Sequence, residues 1–166
     1  MAGNPSERLS ALAEASNLSS ESEWKRIAQL DASLAKWQPG ELLFDEATRL
    51  RVGWRLRSGD SERGREAVEL TGVLLARGHR TGDYLLLARA AKLAGQWDPA
   101  WAALREFLWR HRGRRLAPVI VQEVRGIASG LPDSPYAEAV ERMLERRRIR
   151  TSSGRRAVRA RSLYSE

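Results

Sequence analysis

Apolar residues recur along most of this chain at steps of three and four, the period of a helix that buries one face. The clearest stripe is Trp24, Ile27, Leu30, Leu34 and Trp37. Ser20 and Glu23 precede it at the spacing of a capping box. Gln38-Pro39-Gly40 closes it, because proline donates no hydrogen bond and glycine accepts a left-handed turn. A shorter helix is predicted over 6–16, with Leu9, Leu12 and Ala13 to one side. Leu43, Ala47, Leu50 and Trp54 mark a third helix that stops at Ser58-Gly59. Asp60 or Ser61 caps the fourth, whose inner face is Gly64, Ala67, Val68, Thr71, Leu74 and Leu75. Glycine inside a helix costs up to about 1 kcal/mol relative to alanine. Close approach of a neighbouring helix at Gly64 is the expected compensation.

The second half repeats the pattern. Residues 83–94 place Tyr84, Leu87, Ala88 and Ala91 inward, and Gly95 turns the chain. Asp98 is expected to cap the next helix with Pro99 at its first position. Ala100, Leu104, Phe107 and Leu108 then form its core side, with Ala100 packed opposite Ala88. Gly113, Arg112, Arg114 and Arg115 interrupt the stripe. Pro118 opens a helix carrying Ile120, Val121, Val124 and Ile127. Ser134-Pro135 opens its partner, with Tyr136, Val140, Met143 and Leu144. Apolar spacing ends near Ile149.

These segments recur with a period of about 36 residues. Gly59, Gly95 and Gly130 each sit between two helices, and Asp98-Pro99 returns as Ser134-Pro135. Such periodicity predicts stacked helical hairpins. The expected fold is all-α, with seven or eight helices in antiparallel pairs stacked as a short α-solenoid over 1–149, followed by a basic tail over 150–166.

In the third hairpin Tyr84, Leu87, Ala88, Gly95, Trp97, Ala100 and Leu104 stand in the order of a tetratricopeptide repeat. The chain therefore resembles the tetratricopeptide (TPR) family. Arg112 stands where that family closes with proline, and the second and fourth hairpins keep fewer of the identities. The resemblance implies a TPR-like solenoid whose concave groove binds peptides or helices. The competing architecture is a helical bundle outside that family.

Charge divides the chain. The net charge is +8. Residues 146–166 hold Arg146, Arg147, Arg148, Arg150, Arg155, Arg156, Arg159 and Arg161 against Glu166 alone, which leaves a body close to neutral. A tail so rich in like charge, with little to bury, is expected to be disordered until it meets an anionic surface. Arginine also far outnumbers lysine: Lys25, Lys36 and Lys92 are the three lysines. A GC-rich genome explains that bias, and selection for planar contacts to phosphate or carboxylate is the sharper alternative.

Chemistry at single residues is sparse. Without cysteine there are no disulfides or thiolate metal sites, and His79 and His111 have no ligand spacing. Ser58, Ser61 and Ser129 fall at helix ends, where serine is expected. Asp45 with Glu46, and Glu66 with Glu69, read as solvated faces. His111 reads as a cation at a helix C-terminus. No cofactor or metal is expected, and the chain reads as a non-enzyme. The start lacks the apolar run of a signal peptide, and no stretch approaches the length of a membrane span. A cytoplasmic location is expected.

Trp101, Arg105 and Trp109 lie on one face of the sixth helix, off the stripe of Ala100, Leu104 and Phe107. They pack against the next hairpin, or they form an anchor for a protein partner, since tryptophan and arginine dominate interface hot spots. The combined reading is an adaptor or scaffold within a complex, whose helical surface holds a protein partner and whose tail docks nucleic acid or an acidic protein. The alternatives are an accessory subunit of a nucleic-acid-containing assembly, or a chaperone for a secreted or assembling client.

Overall fold

Eight helices and no strand are present among the described residues of the computed structural model, which are 4–18, 24–78 and 80–146. They are α1 (Pro5–Asn17), α2 (Trp24–Leu34), α3 (Phe44–Ser58), α4 (Ser61–Ala76), α5 (Asp83–Leu93), α6 (Trp97–Arg110), α7 (Pro118–Ala128) and α8 (137–146). The chain is all-α, as its periodicity predicts. Ser20, Glu23, His79, Ile149 and the tail arginines from Arg147 onward lie outside the described residues, as does the 149/150 boundary.

The hairpins pack consecutively. The closest neighbours are α3 with α4, α4 with α5, and α5 with α6. The first helices of the hairpins also form a row, α1 on α3, α3 on α5 and α5 on α7, while α2, α4 and α6 make no comparable contact with each other. A solenoid-like arrangement follows, with the first helices closely spaced and the second helices splayed.

Local sequence explains the turns. Gly59 and Gly95 adopt φ of 71° and 72° after α3 and α5, a region that a side chain disfavours. Gly130, the third glycine of the period, does not. A Cβ there would clash with Lys92 Nζ. Lys92 occupies that space and donates to the carbonyls of Gly126 and Ile127 at 3.1 and 3.0 Å, satisfying the C-terminal end of α7. Asp60 caps α4 as expected, accepting from the Glu62 amide at 3.0 Å. Asp98 does not cap α6. The helix begins at Trp97, and the Asp98 carboxylate instead accepts a hydrogen bond from the Ser134 hydroxyl at 3.0 Å, linking α6 to the final hairpin.

Small residues set the spacing of the middle helices. Gly64, Ala67, Ala88, Ala90, Ala91 and Ala100 are all buried. At Gly64 a Cβ would lie 2.6 Å from the Ala94 nitrogen and 2.8 Å from the Leu93 carbonyl carbon. Helix α4 therefore crosses α5 at backbone contact, as the glycine predicts. The expected inner faces of α4, α7 and α8 are likewise buried or half-buried. In α5, Leu85 and Ala90 are buried in addition to Ala88 and Ala91, because α3, α4, α6 and α7 all pack on it.

The face of α1 differs from its expectation. Leu9 is exposed, and the buried residues are Arg8 and Ala15. Arg8 turns inward because its guanidinium has partners there. It lies 4.9 Å from the Trp37 ring centroid, pairs with Glu41 at 2.7 Å and donates to the Leu42 carbonyl.

Candidate functional site

Many of the body arginines pair with a carboxylate, several of them on a neighbouring helix. Arg49 of α3 forms a two-point fork with Asp83 of α5, through Nε at 2.8 Å and Nη2 at 2.9 Å. The Arg80 amide donates to the same carboxylate at 2.8 Å. Asp83 is 1% exposed. Burial would raise its pKa, but the hydrogen bonds from Arg49 and the Arg80 amide, with their charges, bring it below its ordinary value. Arg55 of α3 forks onto Asp31 of α2 at 3.0 and 3.0 Å and reaches Glu66 of α4 at 2.8 Å, and Arg51 adds a contact to Asp31. Burial opposes ionisation of Asp31 too, and the bonds from Arg55 and Arg51 outweigh it.

Several contacts between hairpins share one offset, 34 residues, close to the sequence period. Arg49 to Asp83 and Glu46 to Arg80 span 34 residues each. Arg89 of α5 meets Glu123 of α7 at 2.8 Å, and Lys92 bonds Gly126 at the same offset of 34. Each rung joins one hairpin to the next. Such forks use the planar guanidinium in a way lysine cannot reproduce, so planar carboxylate contact is a structural use of the arginine bias. The pairs Asp45/Glu46 and Glu66/Glu69 are not solvated throughout, since Asp45, Glu46 and Glu66 hold Arg77, Arg80 and Arg55.

Two features of the described surface are candidates for a site. The first is a recess of about 290 Å³ between α2, α3 and the start of α4. Trp24, Ile27, Ala28, Ala32 and Trp54 form its apolar lining, with Asp31, Arg55, Ser58 and Arg63 at its polar edge. It exists because α2 packs on α3 through Ile27, Leu30 and Leu34 against Trp54, and makes no comparable contact with α4. The Trp54 Nε1 is buried with no hydrogen-bond partner among the described residues. The sequence showed Trp24 and Trp54 as core stripes and gave no sign of the gap beside them.

The second surface is on α6. The expected anchor of Trp101, Arg105 and Trp109 divides. Trp101 is 4% exposed and its indole donates to the Pro132 carbonyl at 2.8 Å, so it packs against the final hairpin. Arg105 is exposed and its guanidinium lies 4.7 Å from the Tyr136 ring centroid. Trp109 is 50% exposed, with Arg112 stacked at 4.1 Å. Arg110 lies 5.0 Å over Tyr84 and pairs with Glu106. Arg114 and Arg115 follow in the exposed connection to α7. Of the eight tail arginines, Arg146 alone is described, exposed at the end of α8. His111 sits at the C-cap of α6, its ring against Phe107. Arg110, Arg114 and Arg115 extend the candidate surface beyond the sequence expectation. The run 109–115, with four arginines and no carboxylate, was the available signal.

No group of three or more His, Asp or Glu side chains is placed to hold a metal among the described residues. No described helix is long and apolar enough to cross a membrane. No family model, curated protein or solved structure matches the chain.

Proposed function

We propose that the chain is a non-enzymatic, TPR-like adaptor. One end of the helical row holds a protein partner, and the C-terminal, arginine-rich end docks an anionic surface. The observation that carries the first half is the recess walled by Trp24, Ile27, Ala28 and Trp54. Its apolar lining suits an apolar side chain of a partner. Exposed tryptophan beside arginine is the composition of interface hot spots. The anion-docking half rests on the tail charge and on the free arginines after Trp109. The same feature favours the second reading, an accessory subunit of a nucleic-acid-containing assembly working in the cytoplasm.

The protein-binding half is tested by placing a photo-crosslinking residue at Ala28, or as a control at Val73 on the exposed side of α4. The same protein should be captured from position 28 and not from position 73. Ala28→Arg, which fills the recess from an exposed position, should abolish its binding without lowering the Tm. Equal capture from both positions, or binding that survives Ala28→Arg, contradicts the reading. For the other end, deleting 150–166 should leave the fold intact and weaken anion binding mostly at low salt.

A further inference from the structure

Three arginines of the α6–α7 corner stand together in one short exposed segment without a carboxylate. Arg8, Arg49, Arg51, Arg55, Arg77 and Arg89 each face a carboxylate. Arg112, Arg114 and Arg115 have no ion pair among the described residues, and no acidic residue occurs from 109 to 117. The tight turn after α6, with Gly113 at φ 81°, holds these three side chains at one exposed corner. Trp109 stands within it, half its surface in solvent and one guanidinium already stacked on its ring.

The end of the described chain lies against the same helix. Ser134 bonds Asp98, Trp101 bonds the Pro132 carbonyl, and Arg105 covers Tyr136. Val140 and Leu144 of α8 are then buried in one core with Leu104 and Leu108 of α6. This sets α8 along α6, and seven further arginines follow Arg146 in the sequence.

We propose that this corner binds single-stranded nucleic acid, with Trp109 stacking on a base and Arg112, Arg114 and Arg115 contacting phosphates. The inference rests on the reading of the C-terminal end as anion-binding and names its ligand. A flat exposed indole among unpaired cations matches the pairing of stacking platform and basic track that single strands require. An acidic protein face would use the same charges, and comparison with an acidic polypeptide separates the two.

The test is fluorescence anisotropy of the full chain with a labelled oligothymidylate of about 12 nucleotides, compared with labelled polyglutamate and repeated over a salt series. Oligothymidylate should bind more tightly than polyglutamate. Trp109→Ala should weaken it roughly tenfold, and Trp24→Ala, at the far recess, should not. The triple variant Arg112→Ser/Arg114→Ser/Arg115→Ser should reduce the slope of log K against log salt by about 2, since each single-strand phosphate contact contributes about 0.7. All the substituted positions are exposed, and unchanged Tm values confirm that the variants fold. Equal binding of both polymers with no effect of Trp109→Ala overturns the inference and leaves the adaptor reading standing with an acidic partner. Oligothymidylate binding that ignores both corner variants assigns the strand to the tail alone and also overturns it. No binding of either polymer removes the anion-docking half of the adaptor reading as well.

Discussion

The middle of the row and its N-terminal end differ in how closely their helices approach, and a recess open to solvent lies at the N-terminal end. From α3 to α6, glycine and alanine stand among larger side chains such as Val52, Leu85, Leu104 and Phe107, and at Gly64 α4 meets α5 at backbone distance. Between α1, α2 and α3 the contacts are made by Ile27, Leu30, Leu34, Trp37 and Trp54. Small residues draw helices together and leave no gap. Large ones hold them apart, and beside Trp54 they leave a recess open to solvent. A stiff middle with a recess at one end and a basic corner at the other suits an adaptor, because it fixes the separation of two partners.

The comparison breaks most readily at the Arg49–Asp83 rung. Replacing Arg49 with alanine leaves a carboxylate that is 1% exposed without its guanidinium partner. Loss of one member of a buried pair costs about 3–5 kcal/mol. At the N-terminal end, Glu14→Ala removes the partner of Arg26 from an exposed pair, and such pairs contribute at most about 1 kcal/mol. Urea unfolding of both variants measures the contrast. Equal losses would show that the rungs do not organise the middle.

Glycine substitutions sharpen the same point. Gly64→Ala drives a methyl group into the Leu93–Ala94 backbone, and overpacking of this kind costs about 1–3 kcal/mol. Gly72, in the same helix, has nothing within 4 Å of a Cβ, so Gly72→Ala should stabilise by up to about 1 kcal/mol. Opposite signs are expected for one substitution type on one helix. Stabilisation by both would place α4 farther from α5 than the structure does.

Acid should loosen the middle through its rungs. The carboxyls of Asp31, Glu66 and Asp83 are held below their ordinary values in the folded chain. Groups with lowered folded pKa stabilise the fold above their unfolded values, near 4, and that contribution is lost as pH falls through the folded values. Stability should therefore be flat above about pH 5 and fall below about pH 4. Asp83→Asn should be less stable at pH 7 and show a shallower fall. A wild-type curve that rises toward pH 3 would contradict the assigned rungs.

Much of this architecture is legible in the sequence, because hydrophobic period, turn glycines and the Asp60 cap are local signals. Gly64 was legible too, since a glycine inside an apolar stripe needs a close neighbour to justify it. Arg8 was not, because arginine reads as surface unless its partners Trp37 and Glu41 are known to be near. Asp83 was missed for a similar reason, since an acidic residue at a helix start reads as dipole compensation. Opposite charges recurring 34 residues apart were the overlooked signal. Trp101 and Trp109 share a face in sequence, and the segment at Pro132 buries one and leaves the other. Helical periodicity cannot separate them, because the covering segment lies one hairpin away.

Amide hydrogen exchange of the free chain tests the central claim most directly, since protection reports the free energy of local opening. Backbone amides of α4 and α5 should be the most protected, and those of α1 and α2 should exchange faster at every time point. Equal protection across α1–α6, or greater protection in α1 and α2 than in α4 and α5, would contradict a stiff small-residue middle carrying a more open N-terminal end.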